Sequence, residues 1–229
     1  MNASGISRIV CAVFLAGCLG YAVAQDKPAQ GKLNVEDLRI RSDAGDRSAT
    51  RRLAEAYYLG RDGVEQNFSE AARWYLRLAR QGDVRAQTTI GLMYSRGYGV
   101  TKDPQAAHRW WNFAAAQNDP GAQYNLGLSN AQGDGVAQDY ERAVQWYSKA
   151  ASRGHVQAQH NLGTLYHEGK GAERDPVRAY FWLKVAALQG DDVSLESLKA
   201  VRQGMSADQV RQAEDQASEW MKQYKKILK

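Results

Sequence analysis

The fold is decided by the stretch GAQYNLGLSNAQGDGVAQDYERAVQWYSKAASRG, which runs from Gly121 to Gly154. Other parts of the chain repeat its pattern at steps of 36 residues, and these steps superpose four tryptophans, Trp74, Trp110, Trp146 and Trp182. A self-similar period of about 20 to 50 residues is typical of a stacked array, whose units cannot bury their apolar faces alone. We therefore expect four copies of one structural unit.

Each copy divides into two helical segments, which we name helix A and helix B. In the copy quoted above, helix A is predicted from about Pro120 to Gln132, because small and apolar residues recur along it at helical spacing. A Gly-x-Gly turn at Gly133 and Gly135 then ends helix A, and helix B is predicted to begin near Asp139. The sequence thus predicts an all-α fold of about four helix-turn-helix repeats.

Start and stop signals recur in phase with this division. A short side chain with an oxygen stands before each helix B, where it can accept from unpaired amides: Asn67, Asp103, Asp139 and Asp175. A residue suited to left-handed backbone follows each helix B: Gly82, Asn118, Gly154 and Gly190. The helix caps and the 36-residue period therefore predict the same helix-turn-helix unit.

Three glycines stand inside the predicted helices A, at Gly91, Gly127 and Gly163. Glycine costs about 1 kcal/mol relative to alanine inside a helix, so its recurrence needs a reason. We expect a close approach of helix B at its repeated tryptophan. The Gly-x-Gly turns lack the third glycine and the preceding strand of a dinucleotide site, which favours a plain turn.

The repeated motifs A-x-x-x-L-G-x-x-Y, G-x-G-V and A-x-x-W-Y-x-K-A-A closely resemble those of the Sel-1-like repeat family, which is related to the tetratricopeptide repeats. The best copy carries them at Ala122, Leu126, Gly127, Gly133, Gly135, Val136, Asp139, Ala143, Trp146, Tyr147, Lys149, Ala150, Ala151 and Gly154. The resemblance implies a right-handed α-solenoid that serves as an adaptor for protein complexes, in bacteria often in the envelope. A cysteine-rich branch of the family has been linked to β-lactam binding, but no cysteine lies in these repeats.

The repeats are assigned to residues 46–82, 83–118, 119–154 and 155–190. A lone helix over 33–45 is expected to cap the first repeat, and helices over 191–229 are expected to cap the last. The final helix should fold over the last repeat and shield its apolar face, as the terminal units of solenoids do.

Residues 1–24 have the pattern of an export signal, and residues 25–32 form a polar linker. The apolar run is short and the small residues Ala22 and Ala24 precede Gln25, which is typical of cleavage after Ala24. Leu15 to Cys18 also fits a bacterial lipoprotein box, which would place a lipid on Cys18. The sequence therefore predicts an exported protein of the periplasm or cell envelope, with a lipid-anchored outer-membrane lipoprotein as the alternative.

Charge and cysteine content restrict the classes of function. The chain has 30 Lys and Arg against 25 Asp and Glu, a surplus that is small for a nucleic-acid binder, and export argues against DNA as a partner. Cys11 and Cys18 are the only cysteines, which excludes a disulfide framework for the repeats. A membrane contact is expected only through the N-terminal lipid anchor.

A partner-binding groove is predicted along the helices A. By resemblance to tetratricopeptide arrays, positions that vary from copy to copy lie on the concave face: Arg51, Glu55, Tyr58, Thr88, Leu92, Ser95, Tyr124, Leu128, Ala131, His160, Thr164 and His167. Such a surface suits an extended peptide or a partner helix. Solvated positions with no partner are the alternative interpretation of any single residue.

The sequence contains none of the common catalytic or metal-binding motifs. The chain has no Ser-x-x-Lys, His-Glu-x-x-His, Gly-x-Ser-x-Gly or P-loop motif. His160 and His167 stand two turns apart, roughly 10 Å along a helix, which is too far to share one ion. We therefore predict no cofactor, no metal and no catalytic residue.

The function predicted from the sequence is that of a non-catalytic envelope adaptor that binds a protein or peptide in the groove of helices A. The alternative is a cell-wall or polysaccharide-associated protein with β-lactam-binding or hydrolase activity.

Overall fold

A computed structural model describes residues 34–227, and within this range the secondary structure is entirely helical. The helices are α1 Val35–Asp43, α2 Arg47–Leu59, α3 Phe68–Arg80, α4 Val84–Arg96, α5 Pro104–Ala116, α6 Pro120–Gln132, α7 Tyr140–Ser152, α8 Val156–Glu168, α9 Pro176–Ala187, α10 Asp192–Arg202 and α11 Ala207–Ile227. The predicted signal peptide 1–24 with Cys18, the linker 25–32 and residues 33, 228 and 229 lie outside the described residues.

The helices form four antiparallel pairs that stack in chain order. Helices α2, α4, α6 and α8 are the helices A, and α3, α5, α7 and α9 are their helices B. Each helix A packs on its own helix B, and helices B from α3 to α7 pack on the helix A of the next repeat. This arrangement confirms the predicted all-α solenoid.

The capping residues behave as the sequence predicts. The carboxylate of Asp139 accepts from the backbone amide of Arg142 at 2.9 Å, and Asn67, Asp103 and Asp175 accept equivalently. Asn118, the one non-glycine at the end of a helix B, has a left-handed φ of 66°. Two observations explain the second glycine of the turn. Gly135 has a left-handed φ of 78°, and a Cβ there would lie 2.5 Å from the carbonyl oxygen of Pro104.

The close approach at the helix A glycines is present, but its partner is not the repeated tryptophan. A Cβ on Gly127 would lie 2.5 Å from Cδ1 of Tyr147, and one on Gly163 would lie 2.7 Å from Cγ of Leu183. Trp146 precedes Tyr147 and therefore points about 100° away around the helix. It is half-buried, with the ammonium of Lys149 4.2 Å from its ring centroid.

The partner of each glycine is thus the residue after the tryptophan, which our expectation missed. Trp111 packs on Gly91 in the same way. In repeat 1 Ala54 stands in place of the glycine, and Tyr75 stands at the position of Tyr147.

Buried glutamines tie each repeat to its neighbour. Gln87, Gln123 and Gln159 stand at one position of helix A, and their amides donate to a carbonyl of the preceding helix B at 3.2, 3.5 and 3.1 Å. The Oε1 of Gln159 accepts from Gln189, at the end of its own helix B, at 2.7 Å. One side chain therefore bridges three helices, which fixes the spacing between repeats.

Repeat 3 breaks this pattern at Arg153, which stands where Gln117 and Gln189 stand in repeats 2 and 4. The guanidinium of Arg153 donates instead to Oδ1 of Asn118 at 2.7 Å. The buried Oε1 of Gln123 then accepts no hydrogen bond from the described residues.

Both ends of the array are covered. Leu38 of α1 is buried in the cluster around α2 and α3. At the other end α11 lies along α9 with Ala213 and Ala217 fully buried, and Trp220 meets Trp182 with ring centroids 6.2 Å apart. The last helix therefore shields the last repeat, as predicted.

Stacking stops at α10, which resembles a helix A without its own helix B. Lys199 stands in α10 where Gly163 stands in α8. A lysine there blocks the close approach that a further helix B would need. No helix between residues 34 and 227 is both long and apolar enough to cross a bilayer.

Replacing Gly127 by alanine should lower the free energy of unfolding by at least about 1 kcal/mol. The added methyl group collides with a ring that is only 2% exposed, and overpacking of this kind costs about 1–3 kcal/mol. Urea denaturation followed by circular dichroism measures the change. Gly204→Ala is the control, because a Cβ there meets only one atom, at 4.0 Å; equal stabilities of the two variants would contradict the packing.

Removing Tyr147 should destabilise the array more than removing Trp146. Tyr147 is almost fully buried, and truncating such an aromatic to alanine costs about 3–5 kcal/mol, whereas Trp146 is half-buried. The melting temperatures of Tyr147→Ala and Trp146→Ala should both fall, the first further. A reversed order would show that the indole carries the helix contact.

Candidate partner-binding groove

Four of the predicted groove residues, one from each repeat, are held by contacts within the chain; we call them the first row. Arg51, Thr88, Tyr124 and His160 each contact the residue that caps the next helix A. The Nη2 atom of Arg51 lies 2.5 Å from Oδ2 of Asp83, and the hydroxyl of Thr88 donates to Asp119 at 2.9 Å. We call these contacts the inter-repeat staples.

The staples of the last two repeats use rings instead. Tyr124 stacks on His155 with centroids 4.5 Å apart and an interplanar angle of 16°. The Nδ1 atom of His160 lies 2.9 Å from Oγ of Ser194 and 3.4 Å from Oδ2 of Asp191. The chemistry of the staple changes from repeat to repeat, but its place does not.

The capping partners of the staples were missed in the sequence. Asp46, Asp83, Asp119 and Asp191 recur before the helices A, and His155 stands in the same place before α8. Their period was visible, but a cap signal alone does not reveal the second contact, because that contact reaches back to the previous repeat. The variation in the first row is therefore explained by pairing within the chain.

Tyr58 is a correction to the predicted groove. It is 3% exposed, and its ring lies 5.4 Å from that of Phe68 and 5.9 Å from that of Tyr75. The turn of repeat 1, from Gly60 to Gly63, has one residue more than the turn from Gly97 to Gly99, and in this repeat the ring of Tyr58 packs against two aromatic rings of helix B. Tyr58 belongs to the core and offers no surface to a partner.

Glu55 and Thr164 are half-buried and already engaged within the chain. Glu55 pairs with Arg61 at 2.5 Å, and the hydroxyl of Thr164 donates to the carbonyl of His160 at 3.1 Å. His167 is also half-buried. Its Nδ1 atom is shielded from solvent and has no hydrogen-bond partner among the described residues.

Leu92, Leu128 and the smaller Ala131 are the aliphatic side chains of the predicted groove that stay partly exposed. Leu92 and Leu128 stand at equivalent positions of α4 and α6, with Ser95 three residues after Leu92. With Thr164 and His167 of α8 these residues define what we call the helix-A groove. It is shorter than the sequence predicted, and its apolar part lies in the two middle repeats.

A cleft of about 250 Å³ opens where repeats 2 and 3 meet in this groove. It is lined by Ser95, Arg96, Lys102, Trp111, Asn125, Leu128, Ser129, Gln132 and Asp134. The indole N–H of Trp111 is already bound to the carbonyl of Thr88 at 3.2 Å. We call this site the repeat 2–3 cleft, and it joins an apolar wall to a mainly polar rim.

His155, which stacks on Tyr124, is held in its neutral form by its surroundings. Its Nδ1 atom accepts from the amide of Ala158 at 3.3 Å, which requires the neutral ring, and burial lowers the pKa of His155 to about 4. Burial, with a smaller contribution from Arg142, also lowers the pKa of His108. These histidines favour the uncharged form and stabilise structure.

The cluster of Ser194, His160 and Asp191 does not have the geometry of a catalytic triad. A triad base uses one ring nitrogen for the serine and the other for the carboxylate. Here both partners lie at Nδ1, and the serine hydroxyl bonds directly to Asp191. Among residues 34–227, no group of three or more side chains is placed to hold a metal ion.

Acid should weaken the fold through His155. The pKa is lowered in the folded state, so below the unfolded value of about 6.5 the unfolded chain binds the extra proton, and stability falls as the pH drops toward 4. The loss approaches about 1.4 kcal/mol per pH unit. Asn caps helices well and does not titrate, so His155→Asn should lose less stability between pH 7 and 4.5 in urea denaturation; parallel curves for the two proteins would refute this assignment.

The family comparison agrees with the stacked pairs. A sequence model described as the Sel1 repeat matches residues 47–83, 84–119, 120–155 and 156–191. No curated protein matches the sequence. Sel1 repeat proteins are generally non-catalytic scaffolds for protein–protein interactions.

Solved structures with the same architecture include two bacterial proteins. A protective antigen of uropathogenic Escherichia coli strains, described as displaying an SLR fold, is 33% identical over 83% of this chain, with a TM-score of 0.76. This chain spans only 41% of that protein. A Sel1 repeat protein from Oxalobacter formigenes is 31% identical over 80% of this chain and 77% of its own, with a TM-score of 0.66. With four matched repeats and this level of identity, the chain belongs to the Sel1 repeat family.

Proposed function

We propose that this protein is a non-catalytic scaffold of the bacterial envelope that binds a protein or peptide segment in the helix-A groove. The observation that carries the proposal is the pair Leu92 and Leu128. Both are partly exposed at equivalent positions of successive helices A, whereas leucines of the core, such as Leu126 and Leu162, are fully buried. Removing such apolar side chains from water is worth about 25 cal/mol for each Å² buried.

The surroundings of these leucines suit an extended partner. Helices A of successive repeats present equivalent positions in a row, so a partner can contact several repeats in sequence. Ser95, Asn125 and Gln132 offer polar groups at the rim of the cleft. An apolar centre with a polar rim is the usual anatomy of an interaction surface.

The envelope part of the proposal is supported by the sequence before the described residues. Residues 1–24 have the pattern of an export signal, either cleaved before Gln25 or lipidated at Cys18. The similar Escherichia coli protein is described as a protective antigen. We base the envelope location proposed for this chain on the pattern of residues 1–24.

Introducing charge into the groove should abolish partner capture. The double variant Leu92→Glu and Leu128→Glu should recover at least about tenfold less partner from a cross-linked envelope fraction, because each charge would have to be desolvated on binding. The readout is quantitative mass spectrometry of the captured proteins. In the same spectra, the N-terminal peptide of the protein itself should begin at Gln25 or at lipidated Cys18.

A matched control separates the groove from general effects of charge. Phe113 and Leu188 are exposed apolar residues on or just after helices B, so Phe113→Glu with Leu188→Glu adds the same charge elsewhere. This control should capture partners as the parent does, and both variants should keep the parent circular dichroism spectrum. Equal capture by the groove variant and the parent would refute the groove.

A further inference from the structure

Two cations in the repeat 2–3 cleft have no acidic partner. Arg96 and Lys102 both line it, both are exposed, and neither forms an ion pair with any residue between 34 and 227. Asp134 is the one acid that lines the cleft. The cleft therefore carries a surplus of one positive charge next to an apolar wall.

The position of Lys102 has a different role in the other repeats. Its equivalents are Gln66, Gln138 and Arg174. The side-chain nitrogen of each donates to a backbone carbonyl oxygen in the last turn of its helix A, at 2.8, 2.8 and 3.0 Å. Lys102 makes no such bond to the carbonyl of Ser95 among the described residues. Its ammonium is therefore free to face the cleft.

The position of Arg96 is equally distinctive. Its equivalents are Leu59, Gln132 and Glu168 in repeats 1, 3 and 4. Only repeat 2 combines two cations at these positions, since the others carry Leu59 with Gln66, Gln132 with Gln138, and Glu168 with Arg174. The positive charge is thus a property of one junction and not of the repeat pattern.

We propose that the repeat 2–3 cleft binds an aspartate or glutamate side chain of the partner segment, and that the residue beside this acid is apolar and packs on Leu128. The proposal rests on the proposed function and specifies the chemistry of the partner. Arg96 and Lys102 contact the carboxylate, a charge-assisted interaction in which the planar guanidinium can bind both oxygens. Asn125 and Gln132, both on α6, supply further amide donors to the cleft.

The volume of the cleft fits this assignment. About 250 Å³ accommodates one or two side chains and excludes a folded domain. The indole of Trp111 is held by its bond to Thr88, so the apolar floor is fixed before the partner arrives. A preformed floor reduces the entropy lost on binding.

Selection from a phage-displayed library of random linear dodecapeptides tests the proposal without a known partner. The parent protein should enrich peptides in which Asp or Glu stands beside Leu, Ile, Val, Phe or Met. The variant Arg96→Glu with Lys102→Glu should bind synthetic copies of these peptides at least about tenfold more weakly. It should instead enrich peptides with Lys or Arg at the place of the acid.

The control variant Lys225→Glu with Lys226→Glu makes the same change of total charge on exposed residues of α11. It should enrich the same acidic peptides as the parent. If the control shifts the selection as the cleft variant does, net charge and not the cleft is responsible, and the proposal is overturned.

Failure of this proposal can be told apart from failure of the proposed function. Enriched peptides that lose binding with Leu128→Glu, yet carry no acid or ignore Arg96→Glu with Lys102→Glu, would overturn the carboxylate site and leave the groove in place. If no enriched peptide depends on Leu128, Arg96 or Lys102, both proposals fall.

Discussion

The structure depends on the close contact of two helices at a glycine. Where Gly127 faces Tyr147 there is no room for a single methyl group, and the same holds where Gly163 faces Leu183. This contact sets the distance between helix A and helix B, and thereby the positions of the turn and of the next repeat. The helix-propensity cost of glycine is accepted three times because the large side chain opposite, Trp111, Tyr147 or Leu183, needs the space.

Between repeats, a second set of contacts has the same place but variable chemistry. An ion pair, a hydroxyl bond, a stacked ring pair and a histidine cluster all join a helix A to the cap of the next one. Only the geometry has to be kept for the array to stack, so evolution is free to change the residues in pairs. The buried amides of Gln87 and Gln159 are more constrained, because each donates to the preceding helix B and accepts from a glutamine at the end of its own helix B.

These internal contacts shape the surface that remains for a partner. The staples occupy the positions that looked most variable, and the apolar surface of the predicted groove is reduced to Leu92, Leu128 and Ala131 with the adjoining cleft. Lys102 gives up the helix-end bond that its equivalents make. The ammonium of Lys102 is therefore still able to bind a ligand beside the apolar wall, whereas donors that already bond within the chain are not.

The sequence by itself determined the repeat, its division into two helices, the caps of the helices B and the family, because these follow from local propensity and from a period that can be counted. It also predicted that the final helix covers the last repeat, and in the structure Val210, Ala213 and Ala217 of α11 are buried. Tertiary structure alone decided that Tyr147 and not Trp146 meets the glycine, that Tyr58 is buried, and that Tyr124 and His160 are engaged by the next repeat. Neighbouring residues on a helix differ by about 100° in direction, and a one-dimensional pattern cannot tell which of them faces another chain segment until the segments are placed in space.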